Sequence, residues 1–313
     1  MDATRFKGYT LAAIAAASYG TNPAFAVPLY DDGMNPTSVL LFRYGFALPI
    51  MALMMLYRGQ PFTLRRHEIL PVAVLGVLMG LSSLTLFEAY NYMNSGVAST
   101  LLFIYPVLVA VLMTFFFHER FRATTGLCLI LMGAGLLLLL RDSGGDFSLS
   151  AVGCLLVLVS SLTYALYLVM TNVSKTVQGI PTLRLLFYQF LFGAGVFVFM
   201  LALGRPLILP AQPWGWANLV ALGLLPSVIS LGCTTVAIHC IGPTPTAIFG
   251  ALEPVTAVVL SVAVLGQSLS PREILGGILI VAATTLVVAA NPVDQVLLRV
   301  RKLFPSLRHR KKG

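Results

Sequence analysis

The chain says the same thing twice. Gly8, Ser18-Tyr19-Gly20 and Pro36-Thr37 with Leu40-Leu41-Phe42 recur 145 residues later as Gly153, Thr163-Tyr164-Ala165 and Pro181-Thr182 with Leu185-Leu186-Phe187. Leu75-Gly76 returns as Leu222-Gly223, and Tyr105-Pro106-Val107 as Glu253-Pro254-Val255, so the offset drifts only from 145 to 148. A match sustained in order over that length is one long duplication. Each copy holds five apolar stretches. Five is odd, so in a bilayer the second copy runs upside down relative to the first. Inverted copies of this kind meet around the midplane, where they build a polar site between them.

Composition puts the chain in a membrane. It is 58% hydrophobic and 10% charged, where a soluble domain carries about 25% charged residues. The net charge of +9 is no nucleic-acid footprint. The basic residues lie between apolar stretches and in the tail, where they set topology and meet anionic lipid. Cys128, Cys154, Cys233 and Cys240 all fall in apolar segments without a C-x-x-C, which indicates neither a disulfide framework nor zinc. His67, His118, His239 and His309 are scattered, with no H-E-x-x-H and no G-x-S-x-G, so an intramembrane enzyme is disfavoured. The expected partners are lipid and a small-molecule substrate, with no metal, cofactor or nucleic acid. Oligomeric state is not legible, and a monomer suffices.

Ten stretches are long enough to cross roughly 30 Å of hydrocarbon at about 20 residues each. The expected fold is all-α and polytopic: a first five-span repeat over 1–145, a second over 146–290, and a basic cytoplasmic tail over 291–313. The spans run about 8–29, 36–57, 69–92, 96–117, 122–140, 150–171, 181–203, 214–240, 244–265 and 271–290. Arg5, Lys7 and the run from Leu11 to Ala17 imitate a cleavable signal peptide. The segment has a counterpart in the second repeat, Gly153 to Val173, so it is read as a span. With the N-terminus inside, fifteen of the 20 Lys and Arg face the cytoplasm, and Arg141, Arg205 and Arg272 face out. The asymmetry puts both termini in the cytoplasm.

Polar residues at membrane depth face the bundle interior and mark function. Arg43 lies in span 2 and needs a partner or a wet cavity; Glu88 in span 3 is at a compatible depth. The two read either as a packing ion pair or, for Arg43, as a substrate contact. Glu253 precedes Pro254 in span 9, and its repeat mate is Tyr105 before Pro106 in span 4. Each proline leaves the carbonyl four residues earlier without its helical donor, so two kinked helices bracket the midplane. Glu253 reads as a coupling group or as a packing glutamate. Tyr19 to Pro23 interrupt span 1. Tyr164 decorates its counterpart, and Tyr44, Tyr188 and Gln189 lie near the starts of spans 2 and 7. These side chains, with Asn22 and Tyr105, suggest a cavity of aromatic walls and hydrogen-bonding tips.

Ser18-Tyr19-Gly20-Thr21-Asn22-Pro23 resembles the W-G-x-N-x opening of the EamA-domain transporters of the drug/metabolite transporter superfamily. Phe42-Arg43-Tyr44 resembles that family's arginine-plus-aromatic. Tyr105-Pro106 to His118-Glu119 is similar to its P-x(11–12)-E, and Leu252-Glu253-Pro254-Val255 has the family form. Tyr19 replaces the usual tryptophan, and Gln267 stands where the second half usually has glutamate. The resemblance implies ten helices, a central cavity and export of amino acids, other metabolites or toxic compounds across the bacterial inner membrane.

Two functions follow as expectations. One is a secondary carrier exporting small organic metabolites, amino acids first, by alternating access. Its lining would be Tyr19, Asn22, Arg43, Tyr44, Tyr105, Tyr164, Tyr188 and Gln189, with Arg43 taking a substrate carboxylate. The other is a proton-coupled exporter of cationic drugs, for which Glu88 and Glu253 are the available acids.

Overall fold

A computed structural model describes residues 3–92, 98, 101–102, 104–118, 123–140, 150–250, 252–253, 255–256, 271–272, 274–283 and 286. Pro254, Glu119, Gln267 and the tail lie outside the described residues. So do parts of spans 4, 9 and 10. Among the described residues every regular element is helical. The helices are α1 (Ala3–Tyr19), α2 (Asn22–Asp31), α3 (Pro36–Tyr57), α4 (Arg66–Ala89), α5 (Tyr105–Phe117), α6 (Ala123–Leu140) and α7 (Ala151–Val173). There follow α8 (Thr182–Ala202), α9 (Pro213–Gly223), a π-helical turn (Leu224–Ile229), α10 (Ser230–Ile241) and α11 (Pro243–Phe249), then α12 (Ile274–Ala283). Five of the described helices are long and apolar enough to span a membrane: α3, α4, α7, α8 and the continuous rod Pro213–Ile241. Shorter apolar helices accompany them.

The chain's chemistry sets the ends. Asn35 caps α3 by accepting from the Ser38 amide at 2.7 Å, with Pro36 in the first turn, where its missing N–H costs nothing. Helices α3 and α8 each run out into a left-handed glycine, Gly59 (φ 61°) and Gly204 (φ 96°). Span 1 breaks between α1 and α2. Pro23 lacks an amide to continue the ladder. Gly20 is pressed so close to the next layer that a Cβ there would lie 2.6 Å from the Glu253 carbonyl.

The duplication is visible in packing. Helix α4 lies against α7 and α8, in the other half, and the Pro213–Ile241 rod lies against α1 and α3. Each third span thus packs on the partner repeat. The closest approaches are reproduced as well. Gly76 abuts the Gln189 carbonyl, Phe192 Cβ and the Gly193 amide; Gly223 abuts the Arg43 carbonyl, Phe46 Cβ and the Ala47 amide. Small residues allow such backbone contact between membrane helices.

These matched contacts correct the sequence register. From Val39 to Ile50 the order of buried, half-buried and exposed positions repeats residue for residue from Leu185 to Val196, an offset of 146. The letter match of Leu40-Leu41-Phe42 with Leu185-Leu186-Phe187 is one residue out of step. Arg43 is therefore equivalent to Gln189, and Tyr188 to Phe42. The drift has a place, too. Gly76 matches Gly223 at 147, whereas Ser82 matches Ser230 at 148, and the π turn between them accommodates the extra residue.

Candidate functional site

A cavity of about 20 Å³ sits where the halves meet, lined by α1, α5, α7, α10, α11 and Glu253. It runs from Tyr19, Tyr105, Tyr164 and Glu253 toward the end of the molecule at which α1 begins, past Ala12, Ala15, Ser230, Thr234 and Thr246. That volume admits a water molecule and no organic solute, so this side of the site is open to water and must widen further to take a solute. Tyr105 and Tyr164 meet edge to face at 4.9 Å, and Tyr164 stacks on Tyr167 at 6.0 Å. The Tyr105 hydroxyl donates to the Ala247 carbonyl at 3.2 Å, passing over Gly250, where there is no side chain to obstruct it.

The four central residues form a closed set under the duplication. Tyr19 matches Tyr164, and Tyr105 matches Glu253. All four line the cavity, so the duplication maps the head of the cavity onto itself. The rest of its lining is not mapped in this way.

Arg43 stands beside this cavity and is 0% exposed. Its Nε donates to Ser227 Oγ at 2.7 Å, Nη1 to Asn22 Oδ1 at 3.3 Å and Nη2 to the Pro226 carbonyl at 3.3 Å. Both Pro226 and Ser227 belong to the π turn, whose widened ladder leaves polar groups to spare. The guanidinium lies between two rings, 5.6 Å from the Tyr19 centroid and 6.0 Å from that of Phe87. The repeat preserves this arrangement in weaker form. Gln189 replaces Arg43, Tyr167 replaces Asn22, and the Tyr167 hydroxyl donates to Gln189 Oε1 at 3.5 Å.

The expected Arg43–Glu88 pair does not form. Successive residues project about 100° apart on a helix. Phe87 holds the face toward Arg43, and Glu88 turns aside. Glu88 pairs instead with Arg205 at 3.3 Å and accepts from Asn91 Nδ2 at 3.2 Å. Arg205 is half exposed, which keeps the pair weak. A double-mutant cycle of Glu88→Gln with Arg205→Gln, read by thermal unfolding in detergent, is expected to give a coupling of about 0.2–1 kcal/mol. The same cycle of Glu88→Gln with Arg43→Gln is expected to give none.

Four other expected lining residues are not part of the cavity lining; one is Asn22, buried against the Arg43 guanidinium. Tyr44 is buried in the seam between α3 and α8, against Phe190 and Phe197 at 4.6 and 4.9 Å, with Ser83 Oγ 3.3 Å from its hydroxyl. Tyr188 donates to the Phe62 carbonyl in the loop after α3. Gln189 is buried one layer away, and its Nε2 has no hydrogen-bond partner among the described residues. Pro106 sits in the first turn of α5. The contributions of Ser227, Phe87 and Gly250 were missed at the level of sequence; the drifting offset was the one trace of the π turn.

Residues 6–141 and 151–289 each match the model of the EamA-like transporter family. The chain belongs to that family. It is an integral membrane transporter, and at family level no enzyme. A relative, "Uncharacterized transporter YdfC" of Bacillus subtilis (strain 168), is 25% identical over 285 residues, covering 87% of this chain and 90% of its own. A solved crystal structure is similar at a TM-score of 0.75 with 19% identity, over 91% of this chain and 96% of that one. At that identity the likeness speaks for the fold alone.

Proposed function

We propose that this EamA-like chain is a secondary carrier of ten spans in two inverted five-helix repeats. It exports a small organic solute bearing an amino group, amino acids first, from the bacterial cytoplasm, with both termini on the inner side. One observation carries the reading: Tyr19, Tyr164, Tyr105 and Glu253 exchange with one another under the repeat and share one cavity. A site that the duplication maps onto itself can be presented to either side by rocking one half against the other. The tyrosine rings suit an apolar or aromatic side chain, and the Glu253 carboxyl suits an ammonium group.

A second reading, a proton-coupled exporter of organic cations, gains from the state of Arg43. Its three nitrogens are each bonded, to Ser227, Asn22 and Pro226, and it is not part of the cavity lining, whose carboxyl group is Glu253. Counterflow in proteoliposomes separates the two. Exchange of labelled amino acids that needs no pH gradient and weakens in Glu253→Gln, which cannot pair with the ammonium group, supports the first reading. Exchange of organic cations that needs both Glu253 and the gradient supports the second. Failure of every amine to exchange overturns both.

A further inference from the structure

The open cavity has a repeat image, and the image is shut. Ala12, Ala15 and Ala16 of α1 correspond to Val157, Ser160 and Ser161 of α7; Ser230 corresponds to Ser82, and Gly250 to Leu102. These image residues lie on the opposite side of the tyrosine–glutamate set, toward the end of the molecule at which α3 begins and α4 ends. Ser160 Oγ donates to the Ser82 carbonyl at 2.7 Å, and Ser82 Oγ returns a bond to the Ser160 carbonyl at 3.0 Å. Ser161 Oγ reaches the Leu102 carbonyl at 3.1 Å. On the open side one counterpart exists, Ser230 Oγ to the Ala15 carbonyl at 2.9 Å. The images of Ser161 and Leu102 are Ala16 and Gly250, which have no hydroxyl to close the gap, and the space between them is cavity. The shut end is also fastened by its loop: Asp32 Oδ2 accepts from the Ala211 and Gln212 amides at 2.8 and 3.2 Å. Asn35 Nδ2 donates to the Pro206 carbonyl at 2.7 Å.

We infer that Ser82, Ser160, Ser161 and the Leu102 carbonyl line a second pocket, closed here, that receives a hydrogen-bond-donating solute group, such as an ammonium, when the open cavity shuts. This rests on the carrier reading. The chemistry comes from what opening would unpair. The Leu102 carbonyl has no helical donor, because residue 106 is proline, and Ser161 fills that place. Ser161 Oγ also lies 2.8 Å from the Val157 carbonyl of its own helix, so its proton stays satisfied when α5 and α7 part. What the parting leaves bare is one fixed acceptor, the Leu102 carbonyl. The Ser82 and Ser160 hydroxyls, whose protons here go to each other's carbonyls across the seam, can turn back to carbonyls of their own helices, which leaves their oxygens as further acceptors. Unpaired buried acceptors are costly, and a donor-bearing solute relieves them. The side chains entering the two pockets differ accordingly, alanine where the solute is picked up and serine where it is let go.

The test uses the full chain with its four native cysteines replaced, reconstituted in vesicles of known orientation. A membrane-impermeant, quaternary-ammonium methanethiosulfonate is added to one side at a time. Ala12→Cys is expected to react from the side of the N-terminus, and Ser160→Cys from the other side. Ser161→Ala removes the bond to Leu102 and is expected to speed Ser160→Cys labelling about fivefold while slowing Ala12→Cys. Ala16→Ser supplies the missing hydroxyl opposite Gly250 and is expected to move both rates in the same directions, so a misfolded Ser161→Ala does not end the test. If Ala12→Cys reacts while Ser160→Cys is inert from both sides in either background, the second pocket is refuted and the carrier reading stands. If Ala12→Cys is inert from both sides as well, the carrier reading falls with it.

Discussion

Replacing Gly250 by alanine is expected to cut transport about tenfold or more while the protein still inserts and purifies. A Cβ at residue 250 would lie 1.7 Å from the Tyr105 hydroxyl and 3.0 Å from its Cζ. The ring must swing away. It then gives up its bond to the Ala247 carbonyl, about 1 kcal/mol net. Overpacking of such a site adds about 1–3 kcal/mol. Together these exceed the 1.4 kcal/mol of a tenfold change, and the displaced ring enters a cavity that already admits only water. The hardest clash is with the Tyr105 oxygen, and a milder one with the Ala247 carbonyl at 2.9 Å remains when that oxygen is gone, so Gly250→Ala combined with Tyr105→Phe is expected to recover part of the lost rate in counterflow. Gly195→Ala is the control, since a Cβ there meets nothing within 4 Å. Equal losses in Gly195→Ala and Gly250→Ala, or no rescue by Tyr105→Phe, would exclude Tyr105 as the cause.

Much of this site was legible in the chain. Tyr19, Tyr105, Tyr164 and Glu253 were readable because a duplication preserves special letters: tyrosine and proline at membrane depth are uncommon enough to align by eye. Spans 2 and 7 show the opposite case. Leucine and phenylalanine interchange freely on a lipid-bathed helix, so Leu-Leu-Phe matched one residue out of step, and only the burial order of Val39–Ile50 against Leu185–Val196 restored the register. That slip hid Gln189 as the equivalent of Arg43 and raised Tyr188 in its stead. The Arg43–Glu88 expectation failed for a related reason. Depth along the membrane can be counted in residues, but azimuth around a helix depends on which neighbour fills the facing position, and Phe87 fills it. The π turn left a trace as a one-residue drift. Its use as an acceptor for Arg43 follows from the chain's third dimension alone.

The second large effect concerns Arg43, whose truncation to alanine is expected to cost about 3–5 kcal/mol of stability. The side chain is fully buried, and removing it opens a cavity of the kind that costs that much in large-to-small core variants. It also strips donors from Ser227, Asn22 and the Pro226 carbonyl. Arg43→Gln is a different matter. The other repeat already carries glutamine at the equivalent position, paired with Tyr167. The substitution makes the halves alike and is expected to leave a folded protein. Its kinetics then decide what Arg43 does. A guanidinium that bound a substrate carboxylate would lose affinity on conversion to glutamine, and KM would rise. A guanidinium that braces α1 and the π turn against α3 lets the solute bind as before, and the rocking of the halves slows instead. The structure favours the brace, because the guanidinium is bonded to Asn22 and to the π turn and lies over the Tyr19 ring, and it is Tyr19, not Arg43, that lines the cavity. The expected result in proteoliposomes is therefore a fall in kcat of about tenfold, the size of one lost charged hydrogen bond, with KM unchanged. A rise in KM at constant kcat would return Arg43 to the solute.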